Sequence, residues 1–302
     1  KRIRPQALEK FDYEQENYTT SLWFCEGTTS YYDLLIPLKA GIYQRQTYLK
    51  ALSKDINRFL NTPGRRVQPL SESSFDAWIK LYRPHANSNN STISYYLKGE
   101  LVSLLLDLLI RDRWKNQRSL DDVLRQMWSR FGQQEVGFTE EQLREIIAEI
   151  ADRDLSEFFS LYVDGTEELP FDDYLEPFGL EVVGTGQREA TPYLGVTLNS
   201  ENGHAIVQWV EQDSPASLGQ ISAGDELLAI DSYKVSAEQL SERLNDYQAG
   251  DTIEVALFCE EELKICSVTL DESRPSRYQV KLIESPSQRQ EDLLQGWLGE
   301  EK

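Results

Sequence analysis

The stretch "SLWFCEGTTSYYDLL", Ser21 to Leu35, sets the problem that the rest of the chain must answer. Trp23, Phe24, Cys25, Tyr31, Tyr32, Leu34 and Leu35 cover every side of a helix drawn through it. A helix that is apolar all round is a buried helix. Glu26 stands in its middle, followed at once by Gly27. A bare carboxylate is costly to bury unless it is paired, protonated or bound to a metal. The stretch therefore predicts an interior helix carrying a carboxylate whose charge needs a partner.

Outward from this stretch, the pattern is mainly helical from Thr20 to about Pro177. The segments that fit are Thr20–Lys39, Arg45–Leu60, Ser94–Trp114, Leu120–Phe131, Glu140–Ala151 and Leu155–Tyr162. "TEEQLREIIAEI" opens on Thr139 with two glutamates in its first turn, a sound helix start. The polar, turn-rich run from Arg66 to Ser94 predicts a long surface loop. Asn17 is expected to cap the Glu26 helix, and Asp107 to pair with Arg111 one turn on.

At Gly179 the texture changes to short alternating runs separated by turns. Strands are predicted at Leu194–Asn199, His204–Glu211, Glu226–Ile230, Thr252–Cys259 and Leu263–Leu270, with a helix from Ser236 to about Asn245. The expected division is a helical domain over 1–178, a small β-rich domain over 179–284 and a polar tail over 285–302. A Leu-Leu-Trp-Leu cluster in that tail is a candidate docking element.

Composition narrows the function. A chain of 302 residues suits two or three domains, and 40% hydrophobic with 27% charged residues is the balance of a soluble globular protein. A net charge of −20 argues against nucleic-acid or anionic-membrane partners, which need a basic face. Cys25, Cys259 and Cys266 read as reduced thiols, which suits a cytoplasmic protein. The most apolar run, Leu101 to Ile110, is far shorter than the ~20 residues of a membrane span and contains Asp107.

Several separate motifs together resemble one family. "LWFCEGTTSYY" resembles the W-x-x-E-G helix of the gluzincin metallopeptidases, in which two histidines of an H-E-x-x-H helix and a downstream glutamate bind zinc. "KRIRPQALEKFDYEQENYTTSLWFCEGTTSYYDLL", "ISYYLKGELVSLLLDLLIR" and "DLSEFFSLYVDGTEELPFDDYLEPFGL" narrow the likeness to the glycyl aminopeptidase family, which adds a PDZ domain after its catalytic domain. The implied architecture is multi-domain: the mainly α-helical C-terminal part of a gluzincin catalytic domain, then a β-rich PDZ domain. The resemblance implies that Glu26 is the third zinc ligand. Zinc accepts a carboxylate beside two imidazoles, keeps a fourth position for water and supplies the counter-charge. It also implies that Tyr96, opening "YLKG", donates a hydrogen bond to the oxyanion of a cleaved peptide, with Tyr95 as the alternative. The implied substrate is a peptide or protein with a free N-terminus.

The metal histidines are missing. His85 and His204 are the only histidines, neither sits in H-E-x-x-H, and one carboxylate does not hold zinc tightly. In the family that helix precedes the segment matching Lys1–Pro5. The chain opens without methionine, so truncation is the expectation, and this fragment alone is expected to be inactive.

"PYLGVTL" followed by "GHAIVQWVEQDSPASLGQISAGDELLAIDSYKV" resembles a PDZ domain of the protease-associated type. Tyr193, Leu194, Gly195 and Val196 match the carboxylate-binding loop, whose consecutive N–H groups can form an anion nest. A peptide C-terminus would add as a strand beside Val196–Asn199, with Leu194, Val196, Leu240 and Leu244 lining the side-chain pocket. Leu194 and Val196 could equally be core. The rival reading of the whole chain is a non-catalytic scaffold that presents a PDZ domain.

Overall fold

The chain winds unevenly through Ser21–Leu35. A computed structural model describes residues 2–185, 191–272 and 277–299. In it Trp23–Gly27 is a π-helical turn, and an α-helix follows over Thr28–Lys39. The expected single helix over Thr20–Lys39 is therefore two windings. A π-turn inserts one extra residue, so it rotates the side chains before it relative to those after it. Trp23 and Phe24 are buried while Glu26 is only half-buried. The expectation of a fully buried carboxylate is corrected: the π-turn brings Glu26 toward the surface of an otherwise apolar element.

The fold separates into two units. The first comprises Lys1–Pro84, Ser91–Val183 and Tyr278–Lys302. Its axis is the helix Tyr95–Trp114, capped by the Ser94 hydroxyl, which accepts from the Leu97 N–H. Leu101, Val102, Leu104, Leu105, Leu106, Leu108 and Ile110 are all fully buried, so this helix has no solvent face along its middle. Around it pack helices Thr28–Lys39, Arg45–Leu60, Leu120–Met127 and Glu140–Ala151.

Ser103 and Asp107 of the axial helix are each met. Thr28 Oγ1 and Ser103 Oγ lie 2.9 Å apart. Asp107 accepts from the Tyr31 hydroxyl at 2.6 Å, the Arg111 Nε at 2.7 Å and the Leu120 N–H at 2.7 Å. The Trp297 indole donates to the same Tyr31 hydroxyl at 3.0 Å. That tryptophan lies on a helix over Gln288–Leu298 whose Leu293, Leu294, Trp297 and Leu298 are buried in the first unit. The C-terminal segment is thus a packed helix carrying the Leu-Leu-Trp-Leu cluster inward.

Two further expectations are corrected. The run 66–94 is no simple surface loop: it holds short helices over Leu70–Phe75 and Ser88–Ser91, and Leu70, Ser73, Ser74, Ala77 and Ile93 are buried. Its polarity misled because the hydroxyls are spent on backbone groups: Ser74 Oγ accepts from the Trp23 N–H at 3.0 Å, and Ser73 Oγ donates to the Ile93 carbonyl. Asn17 caps no helix. It braces the preceding loop, accepting from the Asp12 N–H at 2.9 Å and donating to the Asp12 carbonyl at 2.6 Å.

The second unit comprises Gly184–Arg277 together with His85–Asn90. Its antiparallel sheet runs, in spatial order, Val196–Glu201, His204–Val210, Glu226–Ile230, Thr252–Cys259 and Glu262–Thr269, with Tyr233–Lys234 paired to Glu226–Ile230. Helices Pro215–Leu218 and Leu240–Leu244 complete it. Asn90 belongs to this unit by chemistry as well as position. Its buried amide donates to the Val210 carbonyl at 2.6 Å and accepts from the Gln212 N–H at 3.1 Å. The chain enters and leaves the unit through a two-stranded ribbon, Leu180–Thr185 with Arg277–Leu282. Leu180 and Val280 of this ribbon are buried in the first unit's core.

The Asp107 network yields a stability test. Asp107→Ala strands the buried Arg111 guanidinium and should cost about 3–5 kcal/mol in denaturant unfolding of the chain. A loss under about 1 kcal/mol would mean that Arg111 finds another acceptor.

Candidate active site

Glu26 and Tyr96 come together because two glycines let their helices touch. A Cβ added to Gly27 would lie 2.5 Å from the Gly99 backbone, and one added to Gly99 would lie 2.5 Å from the Trp23 carbonyl oxygen. Both distances are far inside van der Waals contact. The π-turn therefore sits directly on the first turns of the axial helix, backbone against backbone. Glu26 precedes the first glycine, and Tyr96 lies one turn before the second. Overpacking a tight contact typically costs 1–3 kcal/mol. With backbone on both sides here, Gly99→Ala should cost about 3 kcal/mol of stability, read by thermal or denaturant unfolding; a neutral result would show that the two helices can part.

The π-turn is pinned on one side. The Trp23 indole donates to Glu140 Oε1 at 3.2 Å, and the Ser21 hydroxyl donates to Glu140 Oε2. Glu26 itself has no hydrogen-bond or ion-pair partner among the described residues. Its neighbour Cys25 is held as a thiol: burial, then the charges of Glu26 and Glu140, push it up to about 12. Cys25 is therefore neither a nucleophile nor a ready thiolate ligand at neutral pH.

The two tyrosines divide as adjacent helix positions must. Tyr95 is 2% exposed, while Tyr96 is half-buried. Their rings stack with centroids 4.5 Å apart. Burial raises the pKa of the Tyr96 phenol, with a hydrogen bond to Tyr82 and the negative charge of Glu26 adding to the shift. The phenol is thus a protonated donor at neutral pH, within electrostatic reach of Glu26. Tyr95 is raised further by burial and by its bond to Tyr82.

Lys98 and Glu100 flank Gly99. Lys98 is fully buried, donates to the Gly165 carbonyl at 3.4 Å, and burial brings its pKa down to about 8. Its role is to tie the axial helix to the turn after helix Ser156–Tyr162. Glu100 is 8% exposed; burial, then the charges of Asp55 and Asp33, push it up to about 8. A folded-state pKa above the unfolded value makes Glu100 favour folding at low pH. That contribution is present below about 4.5 and is lost as pH rises through about 8. Glu100→Gln should therefore gain stability relative to the parent as pH rises across this window, measured by melting temperature; parallel pH curves would refute it.

Among the described residues no group of three His, Cys, Asp or Glu side chains could hold a metal ion. His85 is exposed in the second unit, where its Nδ1 accepts from the Asn87 N–H at 3.2 Å. His204 is exposed in the same unit, with Nδ1 2.5 Å from Glu226. Neither shares a unit with Glu26.

In the second unit the loop residues are placed as follows. Gly195 has φ +86°, and a Cβ there would meet the Ser214 Cβ at 2.2 Å, so only glycine fits. Its carbonyl accepts from the Glu211 N–H at 2.9 Å. Tyr193 exchanges backbone hydrogen bonds with Asp271, and its hydroxyl donates to Glu211. Leu194, Leu240 and Leu244 are buried in the unit's own core, while Val196 is half-buried at the start of a sheet-edge strand. Val196 also packs against that core.

Sequence reasoning missed the Gly27–Gly99 contact, the π-turn and Tyr82. The two glycines were visible, one next to Glu26 and one a turn after Tyr96, but nothing in one dimension says that they meet.

The fold and site define a class: a helical unit of peptidase type, into which a small PDZ-like β unit is inserted. Residues 1–102 match the family model of the M61 glycyl aminopeptidase, and residues 192–270 match that of the PDZ domain. The first match lies in the helical unit and the second in the β unit. A crystal structure of an aminopeptidase N family protein from Idiomarina loihiensis matches 99% of this chain with a TM-score of 0.88 at 30% identity. The chain spans 52% of the length of that protein. An HtrA-type protease with decapeptide and a serine endoprotease from Yersinia pestis each match 28% of this chain and 30% of their own. Their identities are 18% and 23%, and TM-scores of 0.28 and 0.26 are too low to bear on the fold. No curated protein matches the chain significantly. Among the described residues no helix is long and apolar enough to cross a membrane.

Proposed function

We propose that this chain is part of a zinc aminopeptidase that cleaves peptide bonds near a free N-terminus. Glu26 is the ligand this chain contributes, and two histidines come from an H-E-x-x-H helix outside it. Zinc held by Glu26 and those histidines would supply an activated water as the nucleophile. The observation that carries this reading is the seating of Glu26 beside Tyr96 by the Gly27–Gly99 contact. A half-buried carboxylate with no hydrogen-bond or ion-pair partner among the described residues and a protonated phenol within its field suit a ligand and an oxyanion donor. Tyr96 would hold its proton throughout and share it with the oxygen that gains charge. The glycyl aminopeptidase family match over 1–102 supports the same class.

The PDZ unit would take a peptide C-terminus. The Val196–Glu201 strand lies at the sheet edge, where a peptide can add as a further strand. Leu194, Val196, Leu240 and Leu244 pack in one cluster and would line the side-chain pocket beside that strand.

The reading of the whole protein is tested by the codons upstream of Lys1 and by two variants of the full-length protein. An in-frame H-E-x-x-H upstream supports the enzyme; a start codon without one supports the scaffold. Glu26→Gln should lower zinc content and activity together, since a neutral amide is a poor zinc donor. Tyr96→Phe should keep zinc and KM while kcat falls by ~10²–10³. Full metal occupancy in Glu26→Gln would refute the ligand role, and unchanged kcat in Tyr96→Phe would remove the donor role.

A further inference from the structure

We propose that Tyr82 is a positioning residue for Tyr96, its hydroxyl linking those of Tyr95 and Tyr96 so that the Tyr96 O–H is turned to the reacting carbonyl. This rests on the reading of Tyr96 as the oxyanion donor. Tyr82 Oη lies 2.8 Å from Tyr95 Oη and 3.5 Å from Tyr96 Oη. Three phenols thus meet at one point, on rings of which two are stacked 4.5 Å apart.

Either oxygen can be the donor in both contacts, and the proposed order runs from Tyr95 to Tyr82 to Tyr96. Each phenol donates one hydrogen and accepts through its oxygen. Tyr95 is buried, and a buried hydroxyl must be paired. Tyr82 is its hydrogen-bond partner. When Tyr95 donates to Tyr82, the Tyr82 hydrogen goes to Tyr96. The Tyr96 oxygen is then occupied as an acceptor, and its own hydrogen is the one left to point outward. Hydrogen bonds in such a chain polarise one another, so a Tyr96 that accepts is also a stronger donor. Without Tyr82, the Tyr96 hydroxyl keeps only the Tyr95 hydroxyl beside it and loses the link that turns its hydrogen outward.

Nothing in the packing requires this hydroxyl. The Tyr82 side chain is 55% exposed, and its ring neighbour Trp78 is 43% exposed, with centroids 6.0 Å apart. Phenylalanine would keep the ring contact and lose only the link.

The test is a double-mutant cycle in the full-length protein, with kcat and KM read on a glycyl or alanyl reporter peptide. Tyr82→Phe should lower kcat roughly fivefold to tenfold, the worth of one hydrogen bond, with KM and melting temperature nearly unchanged. In a Tyr96→Phe background the same change should cost nothing more, because there is no hydroxyl left to orient. Reduced kcat in Tyr96→Phe with normal kcat in Tyr82→Phe would overturn the positioning role alone. An undiminished cost of Tyr82→Phe on top of Tyr96→Phe would also overturn it, by showing that Tyr82 meets the reacting atoms directly. Normal kcat in Tyr96→Phe would remove the donor assignment and the positioning role together.

Discussion

The contact between Gly27 and Gly99 is the constraint on which the first unit turns. A methyl group on either residue would overlap backbone atoms of the other helix. Without it the π-turn could not lie on the axial helix, and Glu26 would not stand near Tyr96. The π-turn adds the second half of the geometry. An all-α winding would place residue 26 differently relative to the buried Trp23 and Phe24. Extra-residue turns of this kind recur at functional sites because they free one side chain from the packing of its neighbours.

The axial helix shows how an almost wholly buried element can carry charge. Asp107 is fully buried, yet it is met by a phenol, a guanidinium and a backbone N–H. Buried ion pairs are costly to assemble and costlier to break, so such a network favours one arrangement over close alternatives. It also reaches to the end of the chain, since Trp297 closes on the same Tyr31 hydroxyl. Lys98 and Glu100 are treated differently. Each is buried with little or no counter-charge, and each shifts toward its neutral form.

The PDZ unit is joined to the first by a paired ribbon, and it takes in His85–Asn90 from between the two tyrosine positions of the candidate site in sequence. Within it, glycine conformation and leucine burial serve different ends. Gly195 is demanded by its positive φ and by Ser214, whereas Leu194, Leu240 and Leu244 fill a core that a unit of this size needs for itself.

The sequence by itself determined a good deal. Helical periodicity, the shift to alternation near Gly179 and the W-x-x-E-G and Y-x-K-G motifs were enough for a peptidase-type helical part and a PDZ part. The Asp107–Arg111 pair was also legible, because residues four apart on a helix always face each other. Some things only the tertiary structure decided. Ser73 and Ser74 read as loop residues because a hydroxyl looks the same whether it meets water or a buried carbonyl. The tail after Ser285 read as polar with one candidate docking cluster, and only the fold decided that this cluster meets the first unit's core and Tyr31. The π-turn, the Gly27–Gly99 contact and the Tyr82 link join residues from 5 to 72 positions apart, counting 22 to 27 and 27 to 99. Local preference acts over a few residues, whereas van der Waals exclusion and hydrogen bonding act between whatever the fold brings within a few ångströms.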